Sequence, residues 1–518
     1  MFKTIIDRFE TFFSIEKCTD QQNYVLLVLS TVLAYILSLI FYRLYLHPLH
    51  RFPGPKLAAI STLYEVYFDY VHDGQFVFQM EKMHQKYVRI TPREIHISDP
   101  EFYERIYAGG SKIRDKDPVS VRSFNMTHSL VATIGHDLHQ SRHRVMGSYF
   151  SRQSIKKREP TINYCIQKLL ERFKQAQETG ECITLNHAFT AMTGDIITKY
   201  SFGKDFSFLE ANDYKSKWKS AVAGSLETGK FFRYFPLLDV YRFIPSTLAQ
   251  ALNPGMGEIF YIEDLVRNQV RPLLSSPKHE AKTEATIFSA LLNPAVPAEE
   301  KTLDRLTDQG HMLLVAGTET TANTLTMITF QLLKNPAVLA CLREELKVAM
   351  PTPASILTWN SLEKLPFLNG VIQEGLRLSL GVSSRLPRVA PNDNLQYNDW
   401  VIPAGTPVST ATYFVHMNSS IFPNPEKFDP QRWITASEKG LRLEKYIVAF
   451  TKGSRQCLGM SLAYAELYLT VAALFRQLDM ELYDTSDDDC SFIRDCVIPA
   501  SKRGSKGVRV IIKGSITQ

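Results

Sequence analysis

Ten residues, Phe450-Thr451-Lys452-Gly453-Ser454-Arg455-Gln456-Cys457-Leu458-Gly459, restrict this chain more than any other stretch. Two glycines bracket a cysteine, so the backbone there can turn sharply and approach a flat partner closely, and an arginine two residues upstream can meet an anion. From Leu458 to about Leu478 apolar residues recur at helical spacing (Leu462, Ala465, Leu469, Ala472, Ala473), which predicts that Cys457 sits at a helix N-terminus. There the macrodipole and free N–H groups favour thiolate over thiol, the form an iron ligand takes. The plain alternative for a lone cysteine is a buried structural thiol. The seven cysteines are odd in number and scattered, with no CxxC pair. They argue against a disulfide framework or a zinc cluster and for a reducing compartment.

Three other constellations carry chemistry. Glu374-Gly375-Leu376-Arg377 places a carboxylate and a guanidinium at i and i+3, on one helix face, where a bidentate pair can form. A long helix is predicted from near Asp304 to Lys334, stopping at Asn335 because Pro336 follows. Within it stands Ala316-Gly317-Thr318-Glu319-Thr320-Thr321, where glycine and clustered hydroxyls oppose helix propensity and invite a functional explanation beside that of a packed kink. His139 and His143 have i, i+4 spacing suited to zinc, but no third ligand lies nearby in sequence.

Phe450, Gly453, Arg455, Cys457 and Gly459 match, position by position, the haem-binding signature of cytochromes P450. Glu374 and Arg377 resemble that family's ExxR motif, with Arg432 in Phe428-Asp429-Pro430-Gln431-Arg432-Trp433 as the third member, and the Ala316–Thr321 run resembles its oxygen-activation motif. The resemblance implies a mainly α architecture with a small β subdomain and one preceding transmembrane helix. It implies haem with Cys457 as axial thiolate, a buried Glu374–Arg377–Arg432 clamp on the cysteine loop, room for dioxygen beside Gly317, and proton relay by Glu319 and Thr320. For the haem propionates it implies Arg455 and Arg385. The family's W/HxxxR helix reads His139-Gln140-Ser141-Arg142-His143 here, a departure that leaves His139 with His143 or Arg142 as contacts. The implied activity is that of a monooxygenase drawing electrons from an NADPH-dependent reductase, with cytochrome b5 as a second donor, and oxidising an apolar small molecule with dioxygen. Lys445, Lys452, Arg142, Arg144 and Lys156-Lys157-Arg158 form either a basic face for that flavoprotein or a scattered solvated set.

Val25–Tyr42 is an eighteen-residue run without charge, long enough to cross a bilayer as a tilted helix. The expected division is a lumenal 1–23, an anchor at 24–46, a stiff proline-rich hinge at 47–56 and a catalytic domain over 57–518. Arg43, Arg51 and Lys56 follow the run with no acid among them, which orients the large domain to the cytosolic side of the endoplasmic reticulum. The sequons at Asn125 and Asn418 are then expected to carry no glycan. With 45% hydrophobic and 22% charged residues the rest should fold in water, and a net charge of +6 without basic blocks excludes a nucleic-acid surface. Val88–Ile97 and Trp400–Val408 read as β-rich.

Phe231-Phe232-Arg233-Tyr234-Phe235-Pro236, with Tyr241 and Phe243, reads equally as core or as a membrane-dipping lid. Details around the hinge and Ser384–Val389 resemble microsomal enzymes of filamentous fungi acting on terpenoid or polyketide intermediates. Rival readings are a haem-thiolate isomerase or dehydratase needing no reductase, a sterol or fatty-acid hydroxylase, and a haem sensor.

Overall fold

The computed structural model describes residues 23–84, 87–235, 248, 254–275 and 286–516. Its first element, α1 (Asn23–Leu46), is apolar, long enough to cross a membrane, and has none of its apolar window buried against the rest of the chain. Of the lid segment, Pro236, Tyr241 and Phe243 lie outside the described residues.

The body is mainly helical. The predicted long helix is α7 (Leu303–Lys334) of the set α2 (His136–Gly147), α3 (Arg152–Thr179), α4 (Leu185–Phe202), α5 (Ser216–Tyr234), α6 (Pro254–Ser275), α7, α8 (Pro336–Ala349), α9 (Pro366–Ser379), α10 (Gln431–Glu438) and α11 (Met460–Gln477). Thr302 caps α7 by accepting from the Arg305 N–H, and Pro336 opens α8 at once, as the steric rule requires. Leu306, Leu314, Leu325, Ile328 and Leu332 of α7 are fully buried, because α4, α6, α9 and α11 all pack around it. Gly317 permits a close approach on one side: a Cβ there would lie 2.7 Å from the Ile197 side chain of α4. The place its missing side chain would take is occupied by that neighbouring helix.

The β content is small. β1 (Tyr87–Arg89), β2 (Ile95–Ile97), β3 (Asp115–Lys116), β4 (Arg388–Val389) and β5 (Pro407–Ser409) form one sheet in the order β1-β2-β5-β4-β3. The two stretches read as β-rich both contribute, although Trp400–Ile402 pairs instead with Leu395–Tyr397 in a separate hairpin. The hinge is not a free extended connector. It turns on bonds from His50 N to His47 O and from Phe52 N to Leu49 O, and Leu49 and Phe52 are buried with Ile95, Ile97 and Trp400. Arg89 fastens it further, donating to the carbonyls of Arg43 (2.9 Å) and Pro92 (2.7 Å).

Candidate functional site

Glu374 and Arg377 lie on the last turns of α9, whose first amides, Phe367 and Leu368, donate to the Glu345 carboxylate of α8 at 2.8 Å each. Both side chains are fully buried. Arg377 meets Glu374 through two parallel bonds of 2.7 and 2.9 Å, the bidentate geometry that i, i+3 spacing allows. Arg432 Nε adds a third at 3.1 Å, and the Trp433 indole N–H and Asp429 backbone N–H donate to the same carboxylate at 2.9 and 3.0 Å. Arg377 spends its remaining hydrogens on the carbonyls of His416, Pro425 and Lys427. The cluster therefore fixes the irregular segment 423–430 and the start of α10 without leaving the buried charges unpaired.

His416, which sequence reasoning did not single out, carries this order to the cysteine loop. Its Nε2 accepts from the Val448 N–H at 2.9 Å, which leaves Nδ1 to donate to the Arg377 carbonyl at the same distance. Burial and the Arg377 charge push its pKa down to about 3, so the ring is neutral and this single tautomer satisfies both bonds. No short motif marks such a residue. Only its contacts with both segments reveal it.

The cysteine loop itself turns tightly. Thr451 N donates to Val448 O (2.9 Å), Gln456 N to Gly453 O (3.1 Å) and Cys457 N to Phe450 O (2.9 Å). Gly453 adopts φ +73°, and a Cβ there would collide with the Tyr107 and Ala108 carbonyls. Gly459, by contrast, has ordinary backbone and open space where its Cβ would point, so what it spares is room beside the loop. The Phe450 ring packs on Tyr464 of α11 at 5.2 Å. Cys457 lies three residues before α11 begins, and its side chain is exposed although the protein surrounds the site. Burial pushes the thiol up, and the Gly459 N–H pulls the other way without overcoming it. A bound metal ion would act in the opposite sense to burial, favouring the deprotonated sulfur.

On α7 the exposed Ala316 and the half-buried Thr320 stand one turn apart on the same face, the Thr320 hydroxyl donating to the Ala316 carbonyl at 2.9 Å. Glu319 points elsewhere. It is buried and forms an ion pair with Lys219 of α5, whose ammonium burial pulls down to about 7. The acid and alcohol of the motif are adjacent in sequence but not bonded to each other through their side chains.

The arginines sort differently from expectation. Arg385 is held by two buried carboxylates, Glu94 (2.8 Å) and Glu65 (2.7 Å), and lies over the Phe76 ring, so its charge is already spent. Arg388, three residues on, has no carboxylate partner among the described residues and donates only to the Leu386 and Pro387 carbonyls. Arg455 bonds to the carbonyls of Thr133 (2.7 Å), Ile134 (2.6 Å) and Arg114 (3.3 Å), and its nearest carboxylate, Asp115, is 4.0 Å away. His139 is buried among Arg455, Lys116 and Arg388, and burial with those charges pushes its pKa down to about 2. His143 stacks on it at 5.8 Å as a partly buried ring whose pKa burial lowers, while Arg142 is engaged by Glu300 at 2.7 Å. Among the described residues no group of three metal-binding side chains exists, so the zinc reading of the two histidines finds no third ligand.

The described part of the lid segment is the end of α5. Phe232 is buried, Arg233 pairs with Glu65 at 3.1 Å, and the Tyr234 hydroxyl donates to Glu65 and Asp69 at 2.8 and 2.5 Å. These inward charges pin the helix end to the body. Beside them a narrow cleft is lined by Phe76, Val77 and Met80 together with Asp69, Lys230, Arg233, Arg385 and Asp495. Of the basic-face candidates, Lys445 and Lys452 pair with Glu101 and Glu104 and Arg142 with Glu300, so their charge is locally compensated.

An open thiol on a tight loop, buried Arg388 with no acid partner among the described residues and Arg455 with only Asp115 at 4.0 Å, and space spared at Gly459 fit a flat, iron-bearing dianion of the haem-thiolate class. The chain belongs to the cytochrome P450 family, whose profile matches residues 59–504. It is 46% identical to the cytochrome P450 monooxygenase claJ of Penicillium crustosum over 82% of this chain and 98% of that one. It is 43% identical to the conidiogenone synthase PchP450 of Penicillium rubens, covering 92% and 97% of the two chains. With TRI4 of Fusarium sporotrichioides, another cytochrome P450 monooxygenase, it shares 41% identity over 89% and 90%. A retinoic-acid-bound cyanobacterial CYP120A1 shares its fold at a TM-score of 0.68, 21% identity, over 87% of this chain and 96% of that one. The protein is an oxidoreductase of the P450 monooxygenase class, and its cofactor is haem carried on a cysteine thiolate.

Proposed function

We propose that Cys457 is the axial ligand of the haem and that the enzyme hydroxylates or further oxidises an apolar secondary-metabolite intermediate, a terpenoid or polyketide, with electrons from an NADPH-dependent reductase. The observation that carries this reading is the Cys457 side chain, exposed within a loop that Glu374, Arg377, Arg432 and His416 hold rigid. When bound, the haem with its thiolate supplies dioxygen activation for attack on an unactivated C–H bond. Arg455, Arg388 and His139 hold the propionate edge, and Phe450, Gly453 and Gly459 shape the loop under the ring. Thr320 presents its hydroxyl to the space above, and Glu319, held in reserve by Lys219, passes protons forward once it leaves that partner. The fungal origin of the relatives supports a secondary-metabolic substrate.

Residues 24–46 serve as a single-pass anchor in the endoplasmic reticulum membrane, with 1–23 lumenal, 47–56 joining anchor to body and 57–518 cytosolic, where reductase and cytochrome b5 reach it. Asn125 is only 4% exposed, so burial by itself denies it a glycan and only Asn418, whose side chain accepts from Ser420, reports the topology. Endoglycosidase treatment of the microsomal protein is expected to leave its gel mobility unchanged. A shift lost in an Asn418→Gln variant would place the domain in the lumen.

The function is tested by expressing the full chain in microsomes with a reductase. The expected results are a carbon monoxide difference band at about 450 nm, and NADPH consumption that rises with a terpenoid or polyketide substrate and yields an oxygenated product. Conversion that proceeds at full rate without NADPH would instead assign an isomerase or dehydratase.

A further inference from the structure

The narrow cleft beside the end of α5 has three cations in its lining, and two of them are already taken. Arg233 pairs with Glu65, and Arg385 with both Glu65 and Glu94. Lys230, three residues before Arg233, has no hydrogen-bond or ion-pair partner among the described residues. Burial pulls its pKa down, but Asp69, Asp495, Cys496 and Asp73, all beyond bonding distance, outweigh that and raise it, so the ammonium keeps its charge. Asp495 belongs to the hairpin that pairs Arg494–Cys496 with Ile498–Ala500, whose tip, Val497, is held at φ +73°, a conformation that a β-branched residue avoids. The tip is fixed there because Asp495 Oδ1 accepts from Ser383 Oγ (2.8 Å), Ser384 Oγ (2.7 Å) and the Val497 N–H (3.1 Å). Asp495 Oδ2 accepts only from the same Ser384 hydroxyl, at 2.8 Å, which leaves it a further lone pair.

The remaining lining is largely apolar, with Phe76, Val77, Met80, Phe124 and Leu386. Leu386 ties the cleft to the haem edge, because its carbonyl accepts from Arg388 at 3.0 Å. One end of a ligand entering this slot meets a charged ammonium with three free hydrogens and a carboxylate oxygen with room for a donor. A hydrocarbon end would strip water from both and return no bond. A carboxylate end would bond Lys230 but face Asp495 and Asp69. A neutral hydroxyl accepts from the one and donates to the other. Resting on the haem monooxygenase reading above, we propose that this cleft anchors a substrate hydroxyl between Lys230 and Asp495, so that the substrate is an alcohol on an otherwise apolar skeleton. Holding that end fixes which C–H bond reaches the iron, at a carbon remote from the hydroxyl. The substrate is then supplied by an earlier oxygenation, or by a cyclisation quenched by water.

The test titrates the full-length haem-loaded enzyme with three ligands of one skeleton, farnesol, its methyl ether and farnesoic acid, and reads the spin-state shift of the Soret band at neutral pH. Farnesol is expected to bind roughly tenfold tighter than either of the others, the worth of one hydrogen bond to a charged group. In Lys230→Met the alcohol is expected to fall to the affinity of the ether, and with reductase present the products of farnesol are expected to spread over several carbons where the parent favours one. A parent that binds the ether as tightly as the alcohol overturns the proposal without recourse to any variant, as does one that prefers the acid or gives no shift with the alcohol. A folded Lys230→Met enzyme that keeps the parental preference and product pattern overturns it too. A parent lacking the carbon monoxide band at about 450 nm strikes at the haem reading instead, so the two failures are told apart.

Discussion

Cys457→Ser is expected to remove the carbon monoxide band at about 450 nm and to lower turnover by roughly 10³-fold, about 4 kcal/mol of lost transition-state stabilisation. The loop should survive the change, since its turns rest on backbone bonds from Thr451, Gln456 and Cys457 itself and on the positive φ of Gly453, none of which involves sulfur. What disappears is a strongly donating anionic ligand. A serine hydroxyl remains protonated at neutral pH and gives the iron far less electron density. Haem that stays bound through the propionate cations but absorbs elsewhere would separate the ligand's electronic role from its structural one. Undiminished turnover with an unchanged spectrum would end the assignment of Cys457.

Glu374→Gln should be nearly as damaging for a different reason. The glutamate accepts from Arg377, Arg432, Trp433 and the Asp429 amide at once. Glutamine keeps the size but removes the charge and turns one acceptor into a donor facing guanidinium hydrogens, leaving a fully buried Arg377 uncompensated. Breaking a buried pair from one side costs about 3–5 kcal/mol, a large share of a domain's stability. Because Arg377 also orients His416, and His416 holds Val448 at the base of the cysteine loop, the cost falls on haem incorporation. The measurement is the ratio of haem to protein after purification, with the urea midpoint followed by the 450 nm band. A Glu374→Gln enzyme with a full haem complement and parental midpoint would show that the clamp is dispensable.

The comparison of Arg385 with Arg388 shows where a sequence stops being readable. Both sit in Ser384-Arg385-Leu386-Pro387-Arg388, and nothing local distinguishes them. Strand register decides: Arg388 falls opposite Lys116 in the sheet, while Arg385 is met by Glu65 and Glu94 from segments about 300 residues away. Likewise, Gly317 was legible as an anomaly in a helix, but what lies where its side chain would be depended on how α4 crosses α7. The reach of Lys219 to Glu319 is of the same kind.

What the chain's order of residues determined alone was everything set by short-range geometry. The i, i+3 pairing of Glu374 with Arg377, the run of α7 up to Pro336, the glycines around Cys457 and the charge-free Val25–Tyr42 run of α1 all follow from spacing, sterics and hydropathy within a few turns. Only the tertiary structure decided which charges are spent and which are free, because a buried cation's partner is chosen by whichever distant segment packs against it. Arg455 has only the Asp115 carboxylate near it, at 4.0 Å, and Arg388 has no carboxylate partner among the described residues, a distribution of charge that no local stretch of sequence shows.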